Sequence, residues 1–302
     1  MTPPRRLAVL IPALDEADAI GEVVAGVLAQ QPALVKAGVA LTVMVVDDGS
    51  IDGTGAIASQ VGADLVIRHK VNRGLGAAVR TGIQRARDEG FDLLLKLDAD
   101  GQHDPADIMA MITPILHDEA EVVYGDRFGR ISYRMPLVRR WGNAVFCGLM
   151  RGLTGWPLTD SQPGIIAVSK DYLKVAVLPG DYNYAQQVLL DAFHKGMRFT
   201  QAPVSFRERT SGRSFISLAY PFKALGQIFW LLVSLKPLAV FAPIGAAFLA
   251  LGFGVAAWQM THWFMGEAAK PVENVNLVLG SALFGLQTLF FGVLAELIVR
   301  RR

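Results

Sequence analysis

Along the N-terminal part of the chain, short apolar runs alternate with stretches whose apolar residues recur at helical spacing. Residues 7–11, 41–46, 65–67, 93–97 and 122–124 read as strands, and 17–30, 54–60, 75–87 and 107–117 as the helices between them. Strand and helix in turn predict an α/β fold: a Rossmann-like, mostly parallel sheet with helices on both faces. Ligands are then received beyond the carboxyl ends of the strands.

The pattern changes after Lys236. Residues 238–258 and 275–295 carry no formal charge, and each run has about the twenty residues needed to cross a bilayer. Trp258 and Trp263 stand at the edge of the first run, where aromatic side chains favour the membrane interface. The link between the runs carries Glu267 and Glu273 against Lys270, while Lys236 and Arg300 to Arg302 flank the pair. By the positive-inside bias, the large N-terminal part and the C-terminus are expected in the cytoplasm, with the protein integral to the inner or plasma membrane. Gly245, Gly252, Gly280, Ser281 and Gly285 are small enough to let two such helices approach closely. The expected organisation is an α/β domain over 1–214, a juxtamembrane amphipathic segment over 215–236 and a membrane domain over 237–302.

Composition refines this picture. The 302 residues are 52% hydrophobic with a net charge of +2, which gives no reason to expect nucleic acid as a partner. Charge is instead local: Arg127, Arg130, Arg134, Arg139, Arg140 and Arg151 cluster mid-chain, and Arg207, Arg209, Arg213 and Lys223 precede the first apolar run. Such residues suit anionic lipid or a lipid-linked phosphate. Cys147 is the single cysteine, so no disulfide forms within the chain, in keeping with a reducing compartment. Arg5 and Arg6 precede an apolar run that Pro12 and Asp15 cut short, and no cleaved targeting segment is expected.

The candidate chemistry begins where the strand at 93–97 runs into Asp98-Ala99-Asp100-Gly101-Gln102-His103. Two carboxylates one residue apart repel each other unless a cation or a specific partner lies between them. With oxygen donors only, Mg²⁺ or Mn²⁺ is the expected ion, completed by water and a substrate's phosphates. An EF-hand is excluded, because counting from Asp98 its glycine and glutamate positions hold His103 and Met109. Asp104-Pro105 is ordinary helix-start chemistry.

Other strand ends are loaded in the same way: Asp15-Glu16, Asp47-Asp48-Gly49-Ser50 and Asn72-Arg73-Gly74. The run from Gly74 to Val79 lacks the third glycine of a dinucleotide fingerprint, and no stretch has the Gly-Lys-Ser/Thr ending of a P-loop. The five histidines are scattered, without zinc-site spacing.

Together, the segments Ile11 to Glu16, Val45 to Thr54, Asn72 to Gly74 and Asp98 to His103 resemble the family 2 glycosyltransferases with the GT-A fold, in particular those acting on dolichyl or polyprenyl phosphate. The resemblance implies transfer of a sugar from a UDP- or GDP-linked donor to a polyprenyl phosphate, with inversion, metal dependence and a cytoplasmic catalytic face. It places Pro12, Ala13, Asp15, Asp47, Asp48, Gly49, Arg73, Asp98 and Ala99 at the nucleotide. Asp98, Asp100 and Gln102 would hold Mg²⁺ or Mn²⁺, and Asp100, Asp160 and Arg127 would be catalytic.

Arg127, Arg140, Asn143, Arg209 and Ser214 would meet the acceptor phosphate, with the stretch 135–150 lying at the membrane surface beside Trp141 and Val145. The chain departs from the family at Pro163, Ile165 and Ile166, where Ser, Phe and Arg are usual. Alternatives left open are a processive polysaccharide synthase, transfer to another lipid, and a scaffold without activity. Against the first, Leu137 stands where the Gln-x-x-Arg-Trp motif of such synthases has glutamine. The expected partners are thus a nucleotide sugar, a polyprenyl-phosphate lipid and the membrane, and a homo-oligomer is compatible with the sequence.

Overall fold

The computed structural model describes residues 3–128, 137–160, 162–178, 184–207, 233 and 236–300. The chain divides into two compact units, Met1–Ser214 and Phe215–Arg302.

The first unit is built on a seven-stranded sheet: β1 Arg5–Ala13, β2 Val39–Asp47, β3 Leu65–Arg68, β4 Leu93–Lys96, β5 Val122–Asp126, β6 Ile166–Ser169 and β7 Phe199–Pro203, in the spatial order β3-β2-β1-β4-β6-β5-β7. The pairs β1/β2, β1/β4, β2/β3 and β5/β7 are parallel, and β6 runs antiparallel to both its neighbours. The sheet is therefore mostly parallel, as the alternation predicts. Nothing in the sequence predicts the reversed strand, because residues 166–169 form a short apolar run like any other.

Helices α1 Ala17–Leu28, α2 Gln31–Lys36, α3 Thr54–Val61, α4 Leu75–Asp88, α5 Ile108–Leu116, α6 Leu137–Thr154, α7 Lys170–Val175 and α8 Tyr184–His194 accompany the strands. Strand periodicity divides β1 between two layers. Leu7, Val9 and Ile11 enter the main core with Ile20 and Val24 of α1 and Ile108 and Ile112 of α5. Leu10 meets α4 from the other side, where a side chain larger than glycine at Gly82 would run into it. Fully burying each such side chain stabilises the fold by about 1.5–3 kcal/mol. The helix expected over 17–30 ends at Leu28, and Pro32, whose missing N–H is tolerated in a first helical turn, opens α2.

The second unit pairs α9, Pro237–Phe264, with α10, Val275–Arg300. At 1.5 Å per residue these helices are about 40 Å long, more than the roughly 30 Å of a bilayer's hydrocarbon, and their mean hydropathy reaches 2.2 and 2.0. They are long and apolar enough to cross a membrane. Small residues set their approach: a Cβ on Gly285 would lie 2.7 Å from the Gly245 carbonyl oxygen, and one on Gly252 would lie 3.2 Å from Ser281 Oγ.

Gly280, grouped with these by the sequence, faces open space instead. Polar side chains tie the hairpin at both ends. Gln259 Oε1 accepts from the Glu273 N–H (2.9 Å) and the Asn274 N–H (3.3 Å), and Glu296 Oε2 accepts from the Leu238 N–H (3.3 Å). Gly285→Val should accordingly lower the unfolding midpoint in detergent, with an overpacking cost of about 1–3 kcal/mol. Gly280→Val should leave it unchanged, and equal effects of the two would contradict this packing.

Candidate active site

The carboxyl ends of β1 and β2 are knitted to the turn that starts α4. Asp15 adopts φ +50°. Its N–H donates to Ser50 Oγ (3.0 Å) and its carboxylate accepts from the Ile51 N–H (3.0 Å). Pro12 and Ala13 are buried beside it. Asp47, also buried, accepts from the Ser50 N–H (2.8 Å) and has Arg68 Nε at 3.5 Å. Gly49, at φ +86°, passes so close to the next loop that a Cβ would lie 2.8 Å from the Asn72 nitrogen.

Asp48 is only 3% exposed. Its carboxylate accepts from the backbone N–H groups of Arg73 (3.0 Å) and Gly74 (2.7 Å) and lies 2.6 Å from His69 Nδ1, whose Nε2 is 3.0 Å from Thr81 Oγ1. These three partners tie the end of β2 to the turn before α4 through the Asp48 carboxylate. It fixes the backbone of Arg73, whose side chain is exposed, and of Gly74.

At the end of β4 stands a residue that sequence reading passed over. Lys96 is 3% exposed, and its ammonium donates to Asp98 and to the Gly164 carbonyl (2.9 Å) and lies over the Tyr184 ring. Burial alone would lower its pKa, but the Asp98 carboxylate reverses this and holds it above the ordinary lysine value. The available signal was a charge within an otherwise apolar strand, two residues before Asp98.

His103 is enclosed against the Phe206 ring edge, with Nε2 4.0 Å from Asp98 Oδ2. Burial, opposed by Asp98 and aided by Lys96 and Arg127, pushes its imidazole down to about 4, so it is neutral at pH 7. The acidic loop is also stitched to the chain after β7. Gln102 donates from its backbone N–H to Asp100 Oδ1 (3.1 Å) and from Nε2 to the Arg207 carbonyl (3.2 Å), and accepts from the Arg207 N–H (2.8 Å).

Arg127, just beyond β5, forms a fork with Asp160, Nε to Oδ2 at 2.5 Å and Nη2 to Oδ1 at 3.0 Å, and also donates to the Gln162 carbonyl at 2.9 Å. Asp160 is 0% exposed, and its Oδ1 also accepts from the Gln162 N–H (3.1 Å). Asp98, Gln102 and Arg127 line a single cleft of about 430 Å³ with Gly164, Tyr184, Gln186, Phe206 and residues 74–76 at the start of α4. Asp100 is half-buried beside it.

Among the described residues, no three His, Cys, Asp or Glu side chains are grouped to hold a metal ion. The oxygen donors at this edge are the two carboxylates and the Gln102 amide, the sparse protein set with which Mg²⁺, completed by water and phosphate, is commonly held.

The remaining expected contacts are dispersed. Asn143 turns its amide to the Thr159 carbonyl (2.9 Å), linking α6 to the segment before Asp160. Arg140 is exposed on α6 beside Trp141, which is 73% exposed. Arg209 and Ser214 lie outside the described residues, as does the start of the 135–150 stretch. Ile165 and Ile166, where the family has Phe and Arg, are buried, and the Pro163 carbonyl accepts from the Tyr184 hydroxyl at 3.4 Å.

Gly164 has no room for a methyl group, because a Cβ there would run into Asp98 Oδ2 and His103 Nε2. Gly164→Ala should therefore displace Asp98 and cut activity by about a hundredfold, the sensitivity expected of ångström-scale misplacement. An unchanged rate would contradict the packing.

Residues 8–176, more than half of the chain, match the model of Glycosyl transferase family 2. The chain belongs to that family and is a glycosyltransferase. It is 36% identical over 151 residues to the UDP-N-acetylglucosamine–dolichyl-phosphate N-acetylglucosaminyltransferase of Methanococcus voltae, covering 44% of this chain and 60% of that protein. It is 30% identical over 188 residues to the undecaprenyl-phosphate mannosyltransferase of Micrococcus luteus, covering 58% and 75%.

The glucosyl-3-phosphoglycerate synthase of Mycobacterium tuberculosis, solved with Mn²⁺, UDP-glucose and phosphoglyceric acid, superposes with a TM-score of 0.60 at 21% identity, over 76% of this chain and 79% of that one. This likeness shows the GT-A-type fold.

Proposed function

We propose that the protein transfers a sugar from a UDP- or GDP-linked donor to a polyprenyl phosphate, with inversion and in the presence of Mg²⁺ or Mn²⁺, on the cytoplasmic face of the membrane that α9 and α10 enter. The observation that carries this reading is a single cleft lined by a carboxylate and an amide at one strand end and by a rigidly held arginine at another. The two relatives with polyprenyl-type acceptors in their names support the acceptor class. The structural neighbour holding Mn²⁺ and UDP-glucose supports the donor and metal. The arginine and lysine flanks of the apolar helices support the membrane face.

Asp98, Asp100 and Gln102 would hold the metal, which supplies charge neutralisation at the nucleotide's diphosphate. The chain's own residues do the rest. Asp15, Asp47 and the loop that Asp48 fixes form the nucleotide side. Arg127, its fork locked by Asp160, presents fixed positive charge to a phosphate in the cleft.

An acceptor phosphate monoester, with a second pKa near about 6, is already ionised at neutral pH. Its oxygen attacks the anomeric carbon from the face opposite the departing nucleoside diphosphate, and the carbon–oxygen bond to that diphosphate breaks. No strong general base is required, which suits an Asp160 that is wholly enclosed. Arg140, Trp141 and Val145 form the exposed edge of α6, suited to lipid headgroups.

The deciding experiment offers purified protein in detergent a panel of UDP- and GDP-sugars, Mn²⁺ and a polyprenyl phosphate. One donor should yield a product that extracts with lipid. Sugar entering a long polymer would favour a processive synthase, and no transfer with any donor would favour the scaffold reading.

A further inference from the structure

Three buried side chains carry polar atoms without a hydrogen-bond partner among the described residues: His103, Gln186 and Gln201. Gln201 is half engaged, since its Oε1 accepts from the Thr159 N–H (2.8 Å), and neither it nor His103 lines the cleft. Gln186 differs on both counts. It is 1% exposed, neither Oε1 nor Nε2 has a partner, and it lines the same cleft as Asp98, Gln102 and Arg127.

A carboxamide removed from water without partners is costly, and such groups in native proteins call for an explanation. The first turn of α8, which carries it, is pinned. The Tyr124 hydroxyl donates to the Ala185 carbonyl, the Tyr184 hydroxyl donates to the Pro163 carbonyl, and the Lys96 ammonium lies over the Tyr184 ring. The helix turn that carries the carboxamide is therefore held, and the carboxamide, with donor and acceptor both unmet, belongs to the lining of a cleft large enough for a small polar ligand.

We infer that Gln186 is a specificity-determining residue that reads two neighbouring hydroxyl groups of the transferred sugar, Oε1 accepting from one and Nε2 donating to the other. This rests on the proposed sugar transfer. A carboxamide suits neutral, vicinal hydroxyls, which offer a donor and an acceptor at once, better than it suits a phosphate, which only accepts. The cleft's phosphate-directed charge is supplied elsewhere, by Arg127.

The test compares wild type, Gln186→Met and Gln186→Glu in full-length protein in detergent with Mn²⁺. Calorimetry measures UDP and GDP as sugar-free ligands against UDP-glucose, UDP-N-acetylglucosamine and GDP-mannose. For the preferred sugar nucleotide, Gln186→Met should weaken binding by about tenfold to a hundredfold, the worth of two hydrogen bonds. Its affinity for the matching diphosphate should be unchanged, and its preference among sugars flattened. Gln186→Glu, which keeps the acceptor and loses the donor, should fall between.

Equal losses for diphosphate and sugar nucleotide would mark a merely structural residue and overturn the inference. So would unchanged sugar-nucleotide binding in both variants. A wild type that binds diphosphates without gaining affinity from any of the three sugars would also overturn it. A wild type that binds none of the five ligands would sink the proposed function itself, and the inference with it.

Discussion

Asp98→Ala and Asp100→Ala proteins should each lose sugar transfer by roughly a thousandfold, the scale on which electrostatic stabilisation of a leaving group is felt, and their nucleotide binding should cease to depend on Mn²⁺. Asp98→Ala should also destabilise the fold. Asp98 is the charge partner of Lys96, which is buried, and removing one member of a buried pair costs about 3–5 kcal/mol because the other is left uncompensated. Asp100 is half-buried and accepts from the Gln102 N–H.

Unfolding in detergent alongside initial rates separates the two effects. A Lys96→Met, Asp98→Ala double variant should regain most of the lost stability and none of the lost activity. Mn²⁺-stimulated transfer persisting in Asp100→Ala would remove the carboxylate pair from the mechanism.

The parts of this molecule legible in the sequence are those whose physics is local. The strands up to residue 124 and the helices between them, α2 excepted, are legible because apolar spacing of two or of about 3.6 is a property of neighbouring residues, and the acidic strand ends follow once a parallel sheet is inferred. What stayed hidden depends on partners far away in the chain. Strand β6 lies between β4 and β5 and runs antiparallel to both, an arrangement its own residues do not encode.

The site behaves the same way. Asp48 looks like a ligand carboxylate in sequence, and its ties to Arg73, Gly74 and His69 show only in the fold. Gln186 is an unremarked glutamine until Tyr124, Tyr184 and Pro163 are seen to pin its helix. The small residues of the two apolar helices divide for the same reason. Gly245, Gly252 and Gly285 lie in the hairpin seam and Gly280 does not, a matter of helix rotation that composition leaves undetermined.

Arg127 and Asp160 provide the second large effect, and their variants distinguish two roles for the aspartate. Arg127→Lys should keep the fold while lowering transfer by about a hundredfold, because a lysine keeps the charge but lacks the planar fork that fixes it in place. Asp160→Ala should destabilise the domain by about 3 kcal/mol or more, since the Arg127 guanidinium would then be left without its buried counter-charge.

Asp160→Asn is the informative change, being nearly isosteric and still able to accept a hydrogen bond from Arg127. With Asp160 as an orienting group, the rate should fall about tenfold to a hundredfold while the pH dependence of kcat/KM keeps its shape, because the ionisation that matters belongs to the acceptor phosphate. With Asp160 as a general base, the same substitution would remove the acidic limb of that profile. The enclosed, doubly bonded position of its carboxylate leads to the first outcome, and loss of the limb would return Asp160 to the reacting atoms.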